Sequence, residues 1–345
     1  MTPVPASAVR AYAPGRVNLI GDHTDYSGGL VLPMAIDRGT TIVFRRGGTT
    51  IELTSADEPE PCIIDLSEGP LEPSTVKPAW ARYVAGVATV IAADVGGVGS
   101  VTSDLPIGAG LSSSASLEVA TALALGLAGT PLVIAQACQQ AEHIASGVPC
   151  GIMDQLASAA GVAGHALLID CTSLEVVSVP VPEDVEVIVV HSGQARRLDL
   201  SAYAVRRSQV EQAATVLERP LRGVDAERLS ALGDPILRKR ARHVTSENQR
   251  VLDFAAALRA HDCDEAGQLM VESHRSLRED FEVSTPALDR LVDELVQTRG
   301  VFGARLTGAG FGGCVVALAR AGTGEAIRRG WVVRPAAGAS VVPLE

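Results

Sequence analysis

A glycine and serine loop, PIGAGLSSSAS at 106–116, runs straight into an almost wholly apolar segment, LEVATALALGLAG at 117–129. Glycines let a backbone turn tightly and expose N–H groups, and a helix beginning there aims its positive end at the same space. The pattern describes an anion site, with phosphate the natural occupant. A tight turn with a serine N-cap would account for one serine, but not for three in a row beside two glycines. The loop is not of the GxxxxGK[ST] kind, because the chain's lysines are Lys77 and Lys239. It also lacks the third glycine of a dinucleotide fingerprint. Neutralising a triphosphate here falls to backbone N–H groups, Mg2+ and arginine. Ser114 and Glu142 offer a hydroxyl and a carboxylate, the hard ligands that a mostly hydrated Mg2+ takes.

A second concentration of polar groups lies in APGRVNLIGDHTDYSGGLVLP at 13–33, where Arg16, Asp22, His23 and Asp25 crowd beside apolar runs. The elements that must carry both stretches follow from periodicity. TTIVFRR (40–46) and IELTS (51–55), separated by GGTT, predict a hairpin, and EPEPCIIDLSEGPLEPS (58–74) reads as a surface loop. Trp80, Val84, Val87 and Ile91 recur at helical spacing and predict a helix over 78–95. SVTSDLP (100–106) reads as a strand feeding the glycine loop, with helices at 131–147 and from 150 onward. HALLIDCTS, VVSVPVP and VEVIVVHSG form three strands in succession, read as one antiparallel unit. Beyond about residue 200 the chain turns to amphipathic helices, in AYAVRRSQVEQAATVLERP, PILRKRARHVTSENQRVLDFAAALRAHD and TPALDRLVDELVQTR. It closes with a strand, a glycine loop and a strand in GARLTGAGFGGCVVALAR (303–320), then the short strand SVVPLE. This division predicts an N-terminal α+β domain over 1–180 and a helix-rich C-terminal α+β domain over 181–345.

Composition narrows the partners. A chain of 345 residues that is 47% hydrophobic buries a large core, and with aromatics at 3% that core is built from Ala, Val, Leu and Ile. A net charge of −11 repels phosphate polymers and anionic lipid, which excludes nucleic acid as a partner. The most apolar stretch, 122–135, is broken by two glycines, a threonine and a proline, so no membrane span is expected. The six cysteines form no CxxC pair and no zinc spacing; they read as buried thiols of a reducing compartment. MTPVPASAVR lacks the form of an export signal, so a cytoplasmic protein is expected, taken as a monomer by default.

Three ordered stretches, GRVNLIGDHTDYSGGLVLP, LPIGAGLSSSASLEVA and LTGAGFGGCVVAL, resemble the three motifs of the GHMP small-molecule kinases, and the first is similar to the galactokinase signature. The likeness continues through CGIMDQLASA, HALLIDC, SAYAVRR and ESHRSLREDFEVSTPALDRLV, and so covers nearly the whole chain. It implies an α+β fold of two domains with the active site in the cleft between them, and phosphorylation by ATP and Mg2+ of the anomeric hydroxyl of galactose. By matching position, Asp154 of GIMDQ becomes the catalytic base and Arg16 of PGRVN its partner. A sugar hydroxyl that attacks phosphorus needs a carboxylate in hydrogen-bond reach, and a cation beside it stabilises charge on the transferring group. Gly108, Ala109, Gly110, Leu111, Ser112, Ser113 and Ser114 match the loop that wraps the ATP phosphates, and Ser114 with Glu142 match the magnesium positions. Asp22, His23, Thr24 and Asp25 match the sugar-binding tetrapeptide and Tyr203 a tyrosine that contacts the sugar; short acidic side chains suit a ligand whose hydroxyls both donate and accept. Trp80 matches a position near adenine, although its spacing reads first as a core aromatic.

The chain departs from the family at Asp22, where glutamate is usual. Losing a methylene withdraws the carboxylate by roughly 1.5 Å. A kinase of a different sugar therefore stays open as an alternative. A non-catalytic regulator that binds sugar and ATP is a third reading, opposed by the intact GLSSSAS and by the retained Arg16, Asp154 and Glu142.

Overall fold

The computed structural model describes residues 8–69, 71–106, 109–194, 200–327 and 329–345. Among them the strands are β1 (Ala8–Asn18), β2 (Leu30–Val31), β3 (Pro33–Arg46), β4 (Thr50–Ser55), β5 (Cys62–Asp65), β6 (Gly97–Ser103), β7 (His165–Asp170), β8 (Val176–Pro180), β9 (Val185–His191), β10 (Val301–Leu306), β11 (Cys314–Arg320), β12 (Gly330–Val333) and β13 (Ser340–Leu344). The helices are α1 (Ala81–Val90), α2 (Ser113–Leu125), α3 (Pro131–Ser146), α4 (Met153–Ala160), α5 (Leu200–Val216), α6 (Ala226–Ser230), α7 (Pro235–Arg259), α8 (Cys263–Glu279) and α9 (Pro286–Val296).

Within the described residues one sheet runs β13-β1-β3-β6-β4-β5, a second β10-β11-β9-β12 and a third β2-β7-β8. The mixture of sheets and helices is the α+β class expected from the sequence. Local signals misplaced several elements. β3 and β4 do not pair as a hairpin: β6 inserts between them, antiparallel to β3 and parallel to β4. The Pro- and Glu-rich segment read as a loop contains β5, a four-residue edge strand. The three successive strands also separate, since β7 and β8 pair with each other while β9 joins β11 and β12. The helix expected over 78–95 spans only Ala81–Val90, and α8 was not among the helices that amphipathic spacing picked out.

Helix boundaries follow side-chain chemistry. Thr130, Asp234 and Thr285 accept backbone N–H groups at the starts of α3, α7 and α9, each followed by proline at the first helical position. α2 is apolar almost all round, with Ala115, Val119, Ala120, Ala122 and Leu123 buried against the first sheet and α1, α3 and α4. A second cluster joins the end of β1 and β3 to α7, α8, β9 and β11, so the two halves of the chain share apolar contact. Among the described residues no helix is long and apolar enough to cross a membrane.

Candidate active site

The register of β1 against β3 slips between Pro14 and Arg16, a bulge that re-aims the arginine out of the ladder. Gly15 at that bulge is required by close approach, because a Cβ there would come 2.6 Å from the carbonyl oxygen of Leu111. The Arg16 side chain, nearly buried, donates from Nε to Asp154 Oδ1 and from Nη2 to Asp154 Oδ2, both at 2.7 Å, and from Nη1 to the Gly110 carbonyl at 2.8 Å. Such a two-pronged pair fixes both orientation and charge. Asp154 sits in the first turn of α4, and its Oδ2 also accepts the Ser112 hydroxyl at 2.5 Å.

Ser112 precedes α2 in the left-handed region (φ 58°), with its hydroxyl turned to Asp154 rather than capping the helix. His23 (φ 66°) and Phe311 (φ 59°) share that unfavourable conformation. All three line one cleft of about 510 Å³ together with Arg16, Asp154 and Glu142. Strained residues held by their surroundings gather where geometry matters more than local stability. Of the expected phosphate loop, Gly110, Ser112, Ser113 and Ser114 line this cleft. The side chains of Ala109 and Leu111 instead pack into the core, and Gly108 lies outside the described residues. Trp80 does reach the cleft wall, as does Tyr83, while its indole N–H donates to the Glu60 carbonyl at 3.1 Å.

The Ser114 hydroxyl donates to Glu142 Oε1 at 3.2 Å, so the hydroxyl and carboxylate singled out in the sequence meet in the cleft. Burial, and then the charge of Asp154, pushes the Glu142 carboxyl above its ordinary range. A fully buried glutamate, Glu118, lies near it on α2, pushed well up by burial and by Glu142, with Oε1 left without a partner. Crowded carboxylates with an unsatisfied oxygen are the electrostatic setting that a divalent cation relieves.

The tetrapeptide after Gly21 divides in two. Asp22 is buried, its Oδ2 lies 2.6 Å from Nη2 of the fully buried Arg305, and its Oδ1 accepts the Gly308 N–H at 3.0 Å. Burial raises its pKa against the pull of Arg305. Asp22 thus ties the first loop to the glycine loop after β10, and both of its oxygens are engaged by this chain. The Thr24 side chain is used within the loop itself. It is absent from the cleft wall, its hydroxyl shared between the carbonyls of Gly21 and Leu30 at 2.8 and 2.7 Å, so it braces the loop. Asp22, His23, Asp25 and Tyr203 do line the cleft. His23 Nδ1 lies 3.0 Å from the Tyr26 hydroxyl and Nε2 lies 3.2 Å from the Ala309 carbonyl oxygen. Its ring packs against Phe281, with centroids 4.6 Å apart.

Asp25 packs against Gly151, where a Cβ would overlap the carboxylate. The expected result for Gly151→Ala is a displaced Asp25 and a fall in kcat/KM for the sugar on the order of 100-fold, with the melting temperature nearly unchanged. Steady-state kinetics beside a thermal melt checks it, and kcat/KM within threefold of the parent would show that Asp25 placement is not critical.

Burial, followed by the charge of Asp154, raises Asp25 from 3.8 to about 7. The unfolded chain releases that proton first, so between these values the ionisation of Asp25 makes the folded state progressively less stable as pH rises. Two buried histidines, His243 and His274, are lowered to about 4 by burial and tilt stability the other way below their unfolded value of 6.5. Comparing the parent with Asp25→Asn cancels the histidine contribution. The melting-temperature advantage of Asp25→Asn without ligands is expected to widen from about pH 5 to about pH 8, and a constant gap would refute the assignment.

Sequence reasoning missed Arg305, Gly151, Gln155 and Tyr26. Arg305 left one signal, a charge inside an otherwise apolar strand, GARLTG. The others gain their roles from side-chain contacts that residue type alone does not announce.

Comparison with known proteins now decides the family. The galactokinase galactose-binding signature matches residues 4–46, the GHMP kinase N-terminal domain 82–162 and the GHMP kinase C-terminal domain 254–334. The human galactokinase is 49% identical over 327 residues, 90% of this chain and 83% of that protein. The chain belongs to the galactokinase family of GHMP kinases. A galactokinase from Roseiflexus sp. is 44% identical over 341 residues, 92% of this chain and 84% of that one. The crystal structure of Lactococcus lactis galactokinase complexed with galactose superposes with a TM-score of 0.90 at 32% identity, covering 96% of this chain and 95% of the other. Mevalonate kinase from Methanococcus jannaschii shares the fold, with a TM-score of 0.68 at 21% identity over 97% and 100% of the two chains. Within this galactokinase-family fold, the Arg16–Asp154 pair joins the galactose-binding signature to the N-terminal kinase domain.

Proposed function

We propose that the protein transfers the γ-phosphoryl group of ATP to the anomeric hydroxyl of galactose, giving galactose 1-phosphate and ADP. The observation that carries this reading is the bidentate Arg16–Asp154 pair, set beside the cleft-lining serines at the start of α2 and in the same cleft as the galactose-signature residues.

In this reading Asp154 accepts the hydrogen bond of the attacking hydroxyl and takes its proton as the bond to phosphorus forms. Arg16 holds the carboxylate in register and faces the negative charge spread over the transferring group. Backbone N–H groups at the start of α2, with Ser112, Ser113 and Ser114, receive the phosphate oxygens. The hydroxyl of Ser114 and the carboxylate of Glu142 fit Mg2+, a choice supported by the strained carboxylate cluster around them. When bound, the ion neutralises phosphate charge and orients the chain of phosphates. Asp25, His23 and Tyr203 contact the sugar, and Asp22 sets the glycine loop against it through Gly308.

The site is built within one chain, which supports a monomer as the active unit, with the domain boundary near residue 180. An ATP-consuming reaction and six free thiols favour the cytoplasm. ADP release measured across a panel of sugars, with the phosphorus spectrum of the product, tests the reading. Galactose should give the highest kcat/KM and an anomeric phosphate. Nucleotide binding without turnover of any sugar would overturn it, and preference for another sugar would remove galactose as the substrate.

A further inference from the structure

Gln155 lies wholly buried on α4, next in sequence to Asp154. Its Nε2 donates to Glu142 Oε2 at 2.5 Å and to Glu118 Oε2 at 3.1 Å. An amide NH2 has two hydrogens, and both are spent on carboxylates arriving from different helices, Glu118 from α2 and Glu142 from α3. If stability alone were at stake, a fully buried acid beside a half-buried one would be better replaced by apolar residues. What the bridge does achieve is fixation. Oε2 of Glu142 is held from behind by Gln155 and, more weakly, by the Cys150 thiol at 3.6 Å, which leaves Oε1 turned to the Ser114 hydroxyl. Glu118, fully buried on α2, anchors the amide from the other side.

We propose that Gln155, anchored on Glu118, is a positioning residue that holds the Glu142 carboxylate so that its Oε1 and the Ser114 hydroxyl face one divalent cation. The inference rests on the reading of Ser114 and Glu142 as the cation site. The three helices that carry the phosphate loop, the carboxylate ligand and Asp154 are thereby locked together at a single amide.

The test is Mn2+ binding to the full chain in the presence of ADP, followed by electron paramagnetic resonance, so that it reads the cation without turnover. Gln155→Leu, close in size and unable to donate, should weaken Mn2+ binding about 10- to 100-fold. The Mg2+ concentration for half-maximal rate should rise by a similar factor while KM for galactose stays within about twofold. Glu118→Leu should weaken binding as well, whereas Glu118→Gln, which keeps an acceptor oxygen for the amide, should stay close to the parent. That contrast carries the test should Gln155→Leu fail to fold. Parental Mn2+ affinity in Gln155→Leu, or equal affinity in the two Glu118 variants, overturns the positioning role if Glu142→Leu loses binding. Parental affinity in Glu142→Leu removes the cation assignment itself, and the positioning role with it.

Discussion

Asp154→Asn will lower kcat by a factor on the order of 100 to 10,000, the span that general-base groups contribute. The substitution suits the question because little else changes. One oxygen remains to accept Arg16 Nε, which now sits at 2.7 Å from Oδ1. The new amide faces Ser112, whose hydroxyl can reverse from donor to acceptor. Arg16 Nη2 loses its partner, and losing a hydrogen bond to a charged group costs about 1 to 3 kcal/mol, so the variant should fold and melt somewhat lower. KM for ATP should move by no more than a few-fold, because the loop carbonyl of Gly110 still holds Arg16. Pre-steady-state turnover separates the chemical step from release, and a variant within tenfold of the parent would remove Asp154 as the proton acceptor.

The largest effect on stability is expected at a residue that touches no substrate. Arg305 is fully buried on β10, 2.6 Å from Asp22 Oδ2, with Nη1 donating to the Leu19 carbonyl at 3.2 Å. A second buried acid, Glu247, lies 3.9 Å away. Burial pushes Glu247 up, but Arg250, His243 and Arg305 together hold it at about 2. Arg305→Leu therefore strands one carboxylate and weakens the support of another, a loss of about 3 to 5 kcal/mol when one member of a buried ion pair is removed. Pairing it with Asp22→Asn should recover most of that loss, since the amide oxygen still accepts the Gly308 N–H and no orphan charge remains. Urea denaturation of the single and double variants measures both. A single variant within about 1 kcal/mol of the parent would show that Asp22 escapes burial or takes up a proton at little cost.

Those two residues also mark what the sequence could and could not reveal. The glycine and serine loop was legible because its chemistry is local: turn, exposed N–H groups and helix start lie within about ten residues. Glu142 and Ser114 were legible as ligand types, and the structure brings them to 3.2 Å. Asp154 and Arg16 were placed by resemblance alone, because 138 residues separate the members of that pair and no spacing connects them. Asp22 was placed at the sugar by resemblance; its pairing with Arg305 could not be read locally, because it needs the return of β10. Thr24 was placed by the same resemblance, and a hydroxyl in a sequence gives no hint that two carbonyls of its own loop will take it. The false hairpin at GGTT has a related cause. Turn chemistry fixes how a chain reverses, but not whether a strand from some 40 residues downstream will wedge between the two arms.

The pairing of β13 with β1 binds Ser340 through Leu344 to Tyr12 through Ala8. During synthesis, which proceeds from the N-terminus at a few to some twenty residues per second, β1 would wait for more than 300 further residues before its outer neighbour emerges. Until then it presents an unpaired edge, open to any extended segment that meets it. Closing that edge joins contacts more than 300 residues apart, the kind of non-local pairing that slows folding. The nascent chain is thus open to aggregation at the strand that later delivers Arg16 to the cleft.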